Sequence, residues 1–268
     1  MTSRVDGLWG RTPRLVAVDL DGTLVHQSAG IAAGVAEAVQ RVTDAGAHVV
    51  AATGRSLSTT GFVAREAGMH EYAIVSNGAM LVRIDPEEVV HALTFEASTL
   101  LDDLAARLPD ATIAVERTDG VFLTSRHFVD RGVSFDIREV SWQELGADPV
   151  VRVIVRSDDH VAEGLGSVAR HYAEYSLSFG VTDVAWLDLG ILGVNKATGL
   201  AELCARLGID SSDVLAIGDS MNDAEMLQWA GYAVAMGSAR PAIRDLADHV
   251  TGAEPGEGVV QVLDQLYR

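Results

Sequence analysis

The chain has 268 residues, of which 48% are hydrophobic and 22% are charged, and its formal net charge at pH 7 is −18. This composition excludes a disordered or fibrous chain, and the length suits one or two domains. The negative charge argues against nonspecific binding to nucleic acids or anionic membranes, because both require basic surfaces.

The first part of the chain alternates predicted strands with predicted helices. An apolar run at residues 15–18 predicts a buried strand, and Asp19-Leu20-Asp21-Gly22-Thr23 follows it directly. Alternation along a strand puts both carboxylates on the same side of the backbone. Two crowded negative charges at the end of an apolar strand are costly unless a cation or a chemical role compensates them.

Two further predicted strands end in polar turns. Residues 47–52 lead into Thr53-Gly54-Arg55, and a third strand leads into the turn at residues 76–78. Strands that alternate with helices in this way predict a parallel sheet.

The pattern changes at residue 79. Residues 80–84 and 89–93 predict a hairpin, and residues 98–108 and 159–172 predict helices. Short strands are predicted at residues 112–115, 121–124, 150–155, 175–179 and 184–188. Antiparallel strand pairs mixed with a few helices are typical of an α+β layer. We therefore expect a domain at residues 81–189, inserted into a core made of residues 1–80 and 190–268.

The alternation of helices and strands resumes near residue 193. Asn195-Lys196 opens a predicted helix, and an apolar strand at residues 214–217 leads into an acidic turn at residues 218–223. The next helix is predicted to begin near Met221.

The polar turns should converge, because the carboxyl ends of parallel strands meet at one edge of a sheet. The acidic side chains expected there are Asp19, Asp21, Asp219 and Asp223. Carboxylate oxygens are ligands that Mg²⁺ prefers. The hydroxyl of Thr53 and the ammonium group of Lys196 suit the electrostatic stabilisation of a phosphoryl group.

These motifs, in this order, resemble the haloacid dehalogenase (HAD) superfamily of aspartate-nucleophile phosphatases, and specifically its Cof-type branch with a type IIB cap. Residues 19–23, 53–55 and 218–223 resemble its first, second and fourth motifs. Asn195-Lys196 with Gly199-Leu200 resembles the third, and residues 76–79 resemble the loop that binds the substrate phosphate. The resemblance covers residues 12–80 and 188–268. It implies an α/β fold with a Rossmann-like, doubly wound parallel sheet core and an inserted α+β cap domain.

The resemblance also implies an activity and a mechanism. The enzyme would be a Mg²⁺-dependent phosphatase that hydrolyses a small-molecule phosphomonoester, such as a sugar phosphate or a related metabolite. Asp19 would be the nucleophile that forms an aspartyl-phosphate, and Asp21 would be the general acid and base. The cap would close over the site and select the leaving group.

The resemblance implies roles for the remaining site residues. Thr53 and Lys196 complete the catalytic set. The expected metal ligands are Asp19, the backbone carbonyl of Asp21 and Asp219, with Asn222 and Asp223 binding the metal directly or through water. The expected substrate-binding residues are Thr53, Gly54, Arg55, Asn77, Gly78, Lys196 and Asn222. For Arg55 two roles stay open, which are contact with the phosphate and pairing with an acidic residue.

Two other functions stay open. A phosphotransferase or phosphomutase of the same fold would pass the phosphoryl group to an acceptor other than water, and a non-catalytic sensor would only bind a sugar phosphate. An active phosphatase is favoured because the first-motif carboxylates, the lysine and the fourth-motif carboxylate are all present. The polar candidates for substrate contact in the cap are Arg126, His127, Arg152 and Trp186.

The sequence also indicates a cellular setting. The single cysteine, Cys204, lies in an apolar helix pattern, and an intrachain disulfide is impossible. Residues 1–14 lack the apolar core of a signal peptide, and no segment is long and apolar enough to span a membrane. We expect a cytoplasmic protein whose partner is a small-molecule phosphate ester, without nucleic-acid or membrane partners. The sequence does not determine the oligomeric state.

Overall fold

The computed structural model of the chain describes residues 12–26, 30–126, 136–157, 170–181 and 185–267. It divides into two compact units. The first comprises the described residues of Met1–Arg55, Thr60–Val90 and Asn195–Arg268, and the second comprises those of Ser56–Thr59 and His91–Val194. The first unit is therefore built from both parts of the chain that flank the second.

The elements are named in chain order. The described strands are β1 (Leu15–Val18), β2 (Val25–His26), β3 (Gly30–Ile31), β4 (His48–Ala52), β5 (Tyr72–Val75), β6 (Met80–Arg83), β7 (Glu88–Ala92), β8 (Thr112–Glu116), β9 (Phe122–Thr124), β10 (Ile137–Glu139), β11 (Arg152–Ser157), β12 (Tyr175–Val181), β13 (Ala185–Ile191), β14 (Val214–Gly218), β15 (Tyr232–Ala235) and β16 (His249–Val250). The described α-helices are α1 (Val35–Asp44), α2 (Leu57–Glu66), α3 (Ser98–Arg107), α4 (Trp142–Leu145), α5 (Lys196–Leu207), α6 (Ala224–Trp229), α7 (Pro241–Arg244) and α8 (Glu257–Leu266). Short 3-10 turns lie at Ser76–Gly78, Arg170–Tyr172, Ser211–Asp213 and Met221–Asp223.

The sheet of the first unit has the strand order β16-β15-β14-β1-β4-β5-β6-β7. The strands from β16 to β5 run parallel, whereas β6 runs antiparallel to β5. In the central strand β1, Val18 pairs with Ile217 on one side and with Ala51 on the other. This register brings the turns after β1, β4 and β14 to the same edge of the sheet.

Helices bury the sheet of the first unit. Strand β1 is completely buried, and α1 packs against both β4 and α8. On α1 the buried side chains recur at helical spacing, which gives the helix one apolar face. Among the described residues, one apolar cluster joins alternate sheet residues to α5, α6 and α7, and it includes Leu15, Val50, Ala216, Leu200, Leu203, Met226 and Ile243. The predicted α/β class with a parallel sheet core is confirmed.

The predicted hairpin at residues 80–84 and 89–93 is present as β6 and β7, but these strands belong to the sheet of the first unit. Strand β6 joins that sheet because it pairs with β5 across the turn at Ser76–Gly78. The two compact units change over between Val90 and His91 and between Val194 and Asn195, whereas the sequence predicts an insertion at residues 81–189.

The second unit contains a six-stranded sheet in the order β10-β9-β8-β11-β13-β12. Its neighbouring strands run antiparallel, except that β9 and β10 run parallel. The main core of this unit joins α3 and α4 to the sheet, and it includes Leu101, Leu104, Leu145, Val153 and Leu187. The mixed α+β character expected for the insertion is observed. Strand β10 and helix α4 were not predicted, because their apolar patterns are too short to recognise.

Of two predicted helices, one falls largely on residues that the structure does not describe, and the other begins later than predicted. The predicted helix at residues 159–172 lies outside the described residues, except for the 3-10 turn at Arg170–Tyr172. The helix expected near Met221 begins later, because Met221–Asp223 forms a 3-10 turn and α6 starts at Ala224. Among the described residues, no helix has both the length and the apolar character needed to cross a membrane.

Candidate active site

Asp19 follows β1 and lies at the centre of the candidate site. Its backbone N–H donates to the carbonyl of Ile217 at 3.0 Å, which continues the pairing of β1 with β14. Its side chain is almost completely buried. Gly22, in the same turn, has a φ of 92°, and a Cβ there would lie 2.4 Å from Asp219 Oδ2. Glycine therefore allows the turn after β1 to approach Asp219 this closely.

Lys196 is the first residue of α5, and its side chain is completely buried. Its Nζ donates to Asp19 Oδ1 and to Asp223 Oδ1, each at 2.6 Å. Burial alone would lower the pKa of Lys196, but the attraction of the two carboxylates outweighs it and the pKa lies above its ordinary value. The lysine is therefore held as a cation between the side chains of Asp19 and Asp223.

Asp223 organises the turn after β14. Its Oδ2 accepts hydrogen bonds from the backbone N–H groups of Asp219 at 3.0 Å and Ser220 at 2.9 Å, while its Oδ1 accepts from Lys196. A Cβ on Gly218 would lie 2.6 Å from Asp223 Cγ, so glycine makes room for this side chain. Both oxygens of Asp223 are thus committed to shaping the turn and holding the lysine.

The acidic side chains form a group that fits a hard cation. Ligand oxygens of Asp19, Asp219 and Asp223 lie within 4.8 Å of one another. Asp19 Oδ2 is buried and has no hydrogen-bond partner among the described residues. Burial raises the pKa of Asp19 to about 8, against the attraction of Lys196, and burial followed by the charge of Asp223 raises the pKa of Asp219 to about 6. A cluster of carboxylate oxygens this close together suits a divalent cation such as Mg²⁺, which would offset their mutual repulsion.

Asp21 faces a different partner from Asp19. Arg55 Nε donates to Asp21 Oδ2 at 2.8 Å, and Arg55 Nη2 donates to Asp21 Oδ1 at 2.5 Å. This two-point pair is the geometry in which a guanidinium group binds a carboxylate most specifically. This pair corresponds to one of the two roles left open for Arg55, pairing with an acidic residue, and contact of Arg55 with a phosphate stays a prediction.

Thr53 and Gly54 form the start of the turn after β4. Thr53 is buried, its backbone N–H donates to Ile74 O at 2.9 Å, and its Oγ1 accepts from Arg55 N–H at 3.1 Å. The hydroxyl hydrogen of Thr53 remains available to a ligand oxygen, since this bond uses the oxygen as an acceptor. A Cβ on Gly54 would lie 3.0 Å from Asn77 Oδ1, so the Thr53 turn and the Asn77 turn are in close contact.

Asn77 and Gly78 lie in the turn between β5 and β6. The backbone N–H of Asn77 donates to Thr53 O at 3.0 Å. The side chain of Asn77 accepts from Asn222 Nδ2 at 3.1 Å. A Cβ on Gly78 would lie 1.9 Å from Asn195 O, which explains why this position is glycine.

The structure gives the partners of two of the four polar cap residues that the sequence offers as substrate contacts. Arg152 is buried and donates to Glu116 at 2.6 Å and to Asp188 at 2.8 Å, so two carboxylates already bind it. Arg126 donates through Nη1 to Pro109 O at 2.8 Å. His127 and the side chain of Trp186 lie outside the described parts of the structure.

Two site residues received no role from the sequence. Thr23 Oγ1 donates to Asp219 Oδ1 at 3.4 Å, and Ser220 Oγ donates to Asn222 Oδ1 at 2.5 Å. Both hydroxyls belong to the acidic turns themselves. In the sequence, these roles are indicated only by a hydroxyl within a few residues of the carboxylates. Many ordinary turns have the same pattern, so it does not identify a site residue.

Comparison with known proteins gives the family of the chain. The family model for haloacid dehalogenase-like hydrolases matches residues 16–263. The 5-amino-6-(5-phospho-D-ribitylamino)uracil phosphatase YcsE of Bacillus subtilis is 27% identical over 251 residues, which cover 93% of this chain and 94% of that protein. A phosphoglycolate phosphatase of Methanopyrus kandleri is 30% identical over 252 residues, which cover 94% of this chain and 96% of that protein.

The fold is shared with solved structures. A HAD subclass IIB sugar phosphatase matches with a TM-score of 0.77 at 22% identity, over 94% of this chain and 98% of that chain. The resemblance predicted from the motifs is confirmed by the family model and by this fold. The chain belongs to the family of haloacid dehalogenase-like hydrolases.

Proposed function

We propose that this protein is a Mg²⁺-dependent phosphatase that hydrolyses a small-molecule phosphomonoester through an aspartyl-phosphate at Asp19. The observation that carries the proposal is the environment of Asp19. Lys196 holds Oδ1, whereas Oδ2 is buried without a hydrogen-bond partner among the described residues. A fixed carboxylate whose second oxygen is not weakened by a hydrogen bond is suited to nucleophilic attack.

Asp19 and Asp219, with the backbone carbonyl of Asp21, are the proposed ligands of Mg²⁺. The bound cation would reduce the repulsion between the carboxylate nucleophile and the anionic phosphate. We assign Asp223 and Asn222 to orienting roles in the turn, since both oxygens of Asp223 and the carboxamide of Asn222 already have protein partners. Such partners fix the direction of metal ligands without binding the metal themselves.

The proposed reaction has two steps. Before the first step, Asp21 takes up a proton from water once the phosphate engages Arg55. In the first step, an Asp19 oxygen forms a bond to phosphorus, the bond to the leaving oxygen breaks, and Asp21 gives its proton to that oxygen. In the second, water attacks the aspartyl-phosphate and Asp21 takes a proton from it, which releases phosphate and restores Asp19. Asp21 is suited to exchanging protons because its side chain is 41% exposed.

Lys196 and Thr53 are the proposed phosphate-binding groups of the core. An ammonium group has three donors, and Lys196 uses two of them on carboxylates, so one remains for a phosphoryl oxygen. Thr53 offers its hydroxyl hydrogen, and Gly54 lets the turn lie close to Asn77. We propose that Arg55 holds Asp21 in place and that the phosphate of the substrate competes with Asp21 for this guanidinium group.

The proposed substrates are sugar phosphates or related metabolites. The named relatives act on a phosphorylated ribitylaminouracil and on phosphoglycolate, which share a phosphate ester and differ greatly in size. The phosphate-binding residues of the core do not distinguish such leaving groups. We therefore propose that the second unit selects the substrate. We also propose a cytoplasmic location, to be tested by cell fractionation.

The test is a phosphate-release screen over a panel of metabolite phosphates, with Mg²⁺ and with EDTA. We expect release that needs no acceptor other than water, that EDTA abolishes and that Mg²⁺ restores, because the acidic cluster requires a cation. Full activity in EDTA would contradict the metal assignment. Transfer to an acceptor without release to water would identify a phosphotransferase, and binding without any turnover would identify a sensor.

A further inference from the structure

The turn at Ser76–Gly78 has an unusual backbone. Ser76, Asn77 and Gly78 have φ values of 51°, 54° and 100°, so three consecutive residues lie in the left-handed region. This conformation costs free energy for residues other than glycine, and it persists only where the surroundings determine it. The neighbours of this turn should therefore explain why it keeps this shape.

The turn is bonded on one side to the Thr53–Arg55 turn. Asn77 N–H donates to Thr53 O at 3.0 Å, and Ser76 N–H donates to Arg55 O at 2.8 Å. These bonds attach the Ser76–Gly78 turn to the segment that carries the proposed phosphate-binding hydroxyl.

The side chain of Asn77 bonds the turn to the acidic turn after β14. Ser220 Oγ donates to Asn222 Oδ1 at 2.5 Å, and Asn222 Nδ2 donates to Asn77 Oδ1 at 3.1 Å. The first bond uses the oxygen of the Asn222 carboxamide, and the second uses its nitrogen and the oxygen of Asn77. These two hydrogen bonds therefore fix the orientation of both carboxamide groups. Asn222 is adjacent in sequence to Asp223, whose Oδ1 binds Lys196.

The third side of the turn faces the start of α5. A Cβ on Gly78 would lie 1.9 Å from Asn195 O, and a Cβ on Gly199 would lie 3.1 Å from Gly78 Cα. Contacts and covalent bonds therefore close a ring. We call it the positioning ring, and its members are Asn77, Gly78, Asn195, Lys196, Asp223 and Asn222.

We propose that Asn77 is a positioning residue: through its bond to Asn222 it closes the positioning ring and fixes how Lys196 and Asp223 stand beside Asp19. The role rests on the proposed function, because it matters for turnover only if Asp19 and Lys196 perform the chemistry. It differs from phosphate binding, since the bond that carries it runs between two protein side chains 145 positions apart.

The test is a double-mutant cycle with Asn77→Gly and Asn222→Ala in the full chain with Mg²⁺. Glycine keeps the left-handed backbone available and removes the whole side chain, so we expect the fold to be retained. We expect kcat on p-nitrophenyl phosphate to fall on the order of 10–100-fold, as for a small misplacement of reacting groups. The inhibition constant of inorganic phosphate should change to the same extent in both single variants, because both act through Lys196, and the double variant should be no slower than the slower single variant.

Other outcomes would overturn the proposal. A rise of the phosphate inhibition constant in Asn77→Gly that Asn222→Ala does not share would make Asn77 a phosphate-binding residue. Multiplied losses in the double variant would show that the two residues act independently, and an unchanged kcat would remove the role altogether. If the wild-type protein released no phosphate from any ester, the proposed function would fall. The same cycle, measured as the free energy of unfolding, would then decide whether the Asn77–Asn222 bond closes the ring, since only coupled residues give non-additive changes.

Discussion

Asp19 and Asp21 are separated by one residue, yet they have different environments. Asp19 is buried and bound to a completely buried lysine, whereas the side chain of Asp21 is 41% exposed and pairs with Arg55. A nucleophile needs a fixed orientation, and an acid–base group needs access to water for proton exchange. The difference between the two environments matches the difference between the two proposed roles.

Replacing each carboxylate separately tests this division. Asp19→Asn should leave no measurable phosphoenzyme and no turnover, because the nucleophilic oxygen is lost. Asp21→Asn should slow turnover on the order of 10²–10⁴-fold, because it removes proton transfer to the leaving oxygen. The measurements are steady-state phosphate release and trapping of the phosphoenzyme after acid quench. An Asp19→Asn enzyme of nearly wild-type rate would refute the covalent mechanism.

The raised pKa values of Asp19 and Asp219 predict how stability depends on pH. Their folded-state pKa values of about 8 and about 6 lie above the ordinary value of 3.8, so the metal-free folded protein binds these protons more tightly than the unfolded chain does. Its stability should therefore fall as pH rises from about 4 to about 8. Mg²⁺ must displace the same protons, so the increase in Tm that it causes should be small near pH 5 and larger near pH 8.

Thermal unfolding with Mg²⁺ and with EDTA, at several pH values, measures this effect. Asp219→Asn provides the control, because it removes one proposed ligand and should remove most of the Mg²⁺-dependent increase in Tm. An equal increase in Tm at both ends of the pH range would contradict the assignment of the cation to these carboxylates.

At the scale of elements, the site depends on how closely the turns approach one another. The turn after β1 meets Asp219 at Gly22, and the turn after β5 meets the start of α5 at Gly78. Helix α5 begins with a capping box between Asn195 and Thr198, which fixes its first turn and hence the starting point of Lys196. Backbone conformation, as much as side-chain chemistry, sets the distances in the site.

Gly22→Ala tests the closest of these approaches, with Gly46→Ala as a matched control. Gly22 and Gly46 have φ values of 92° and 84°, so alanine is strained at both, by about 1–2 kcal/mol. Only at Gly22 would the new Cβ meet a carboxylate, whereas nothing lies within 4 Å of it at Gly46. In urea unfolding, Gly22→Ala should lose at least as much stability as Gly46→Ala, but only Gly22→Ala should require much more Mg²⁺ for activity. The idea fails if both variants keep the wild-type dependence on Mg²⁺.

The sequence predicts the strands of the core well, because β1 and β14 are uninterrupted apolar runs followed by polar turns. It also predicts that these turns converge, because parallel strands end at one edge of a sheet. It does not predict which sheet a hairpin joins, so it does not show that β6 and β7 extend the sheet that contains β5. The bond between Asn77 and Asn222 could not be predicted either, because it depends on the three-dimensional packing of two distant turns.

At the scale of the whole molecule, the chemistry and the choice of substrate are proposed to belong to different units. Deleting residues 91–194 and joining Val90 to Asn195 through a flexible Gly-Ser linker tests this division. Hydrolysis of p-nitrophenyl phosphate should persist in part, because the proposed catalytic residues all lie in the first unit. Discrimination among metabolite phosphates should collapse, because phosphoryl oxygens are common to all of them.

The measurement is the ratio of kcat/KM values over a panel of phosphates, for the shortened and the full chain. Circular dichroism and a cooperative unfolding transition establish that the shortened chain folds. If the folded shortened chain ranked natural substrates as the full chain does, specificity would lie in the first unit.

The position of β1 in the sheet has a consequence for the synthesis of the protein. Strand β1 ends at Val18, but its neighbour β14 begins only at Val214, about 200 residues later. At about 5–20 residues per second, a ribosome needs roughly 10–40 s to make that stretch. During this time one edge of an entirely apolar strand has no partner, and such edges favour aggregation. The nascent chain should therefore depend on chaperones until translation passes β14.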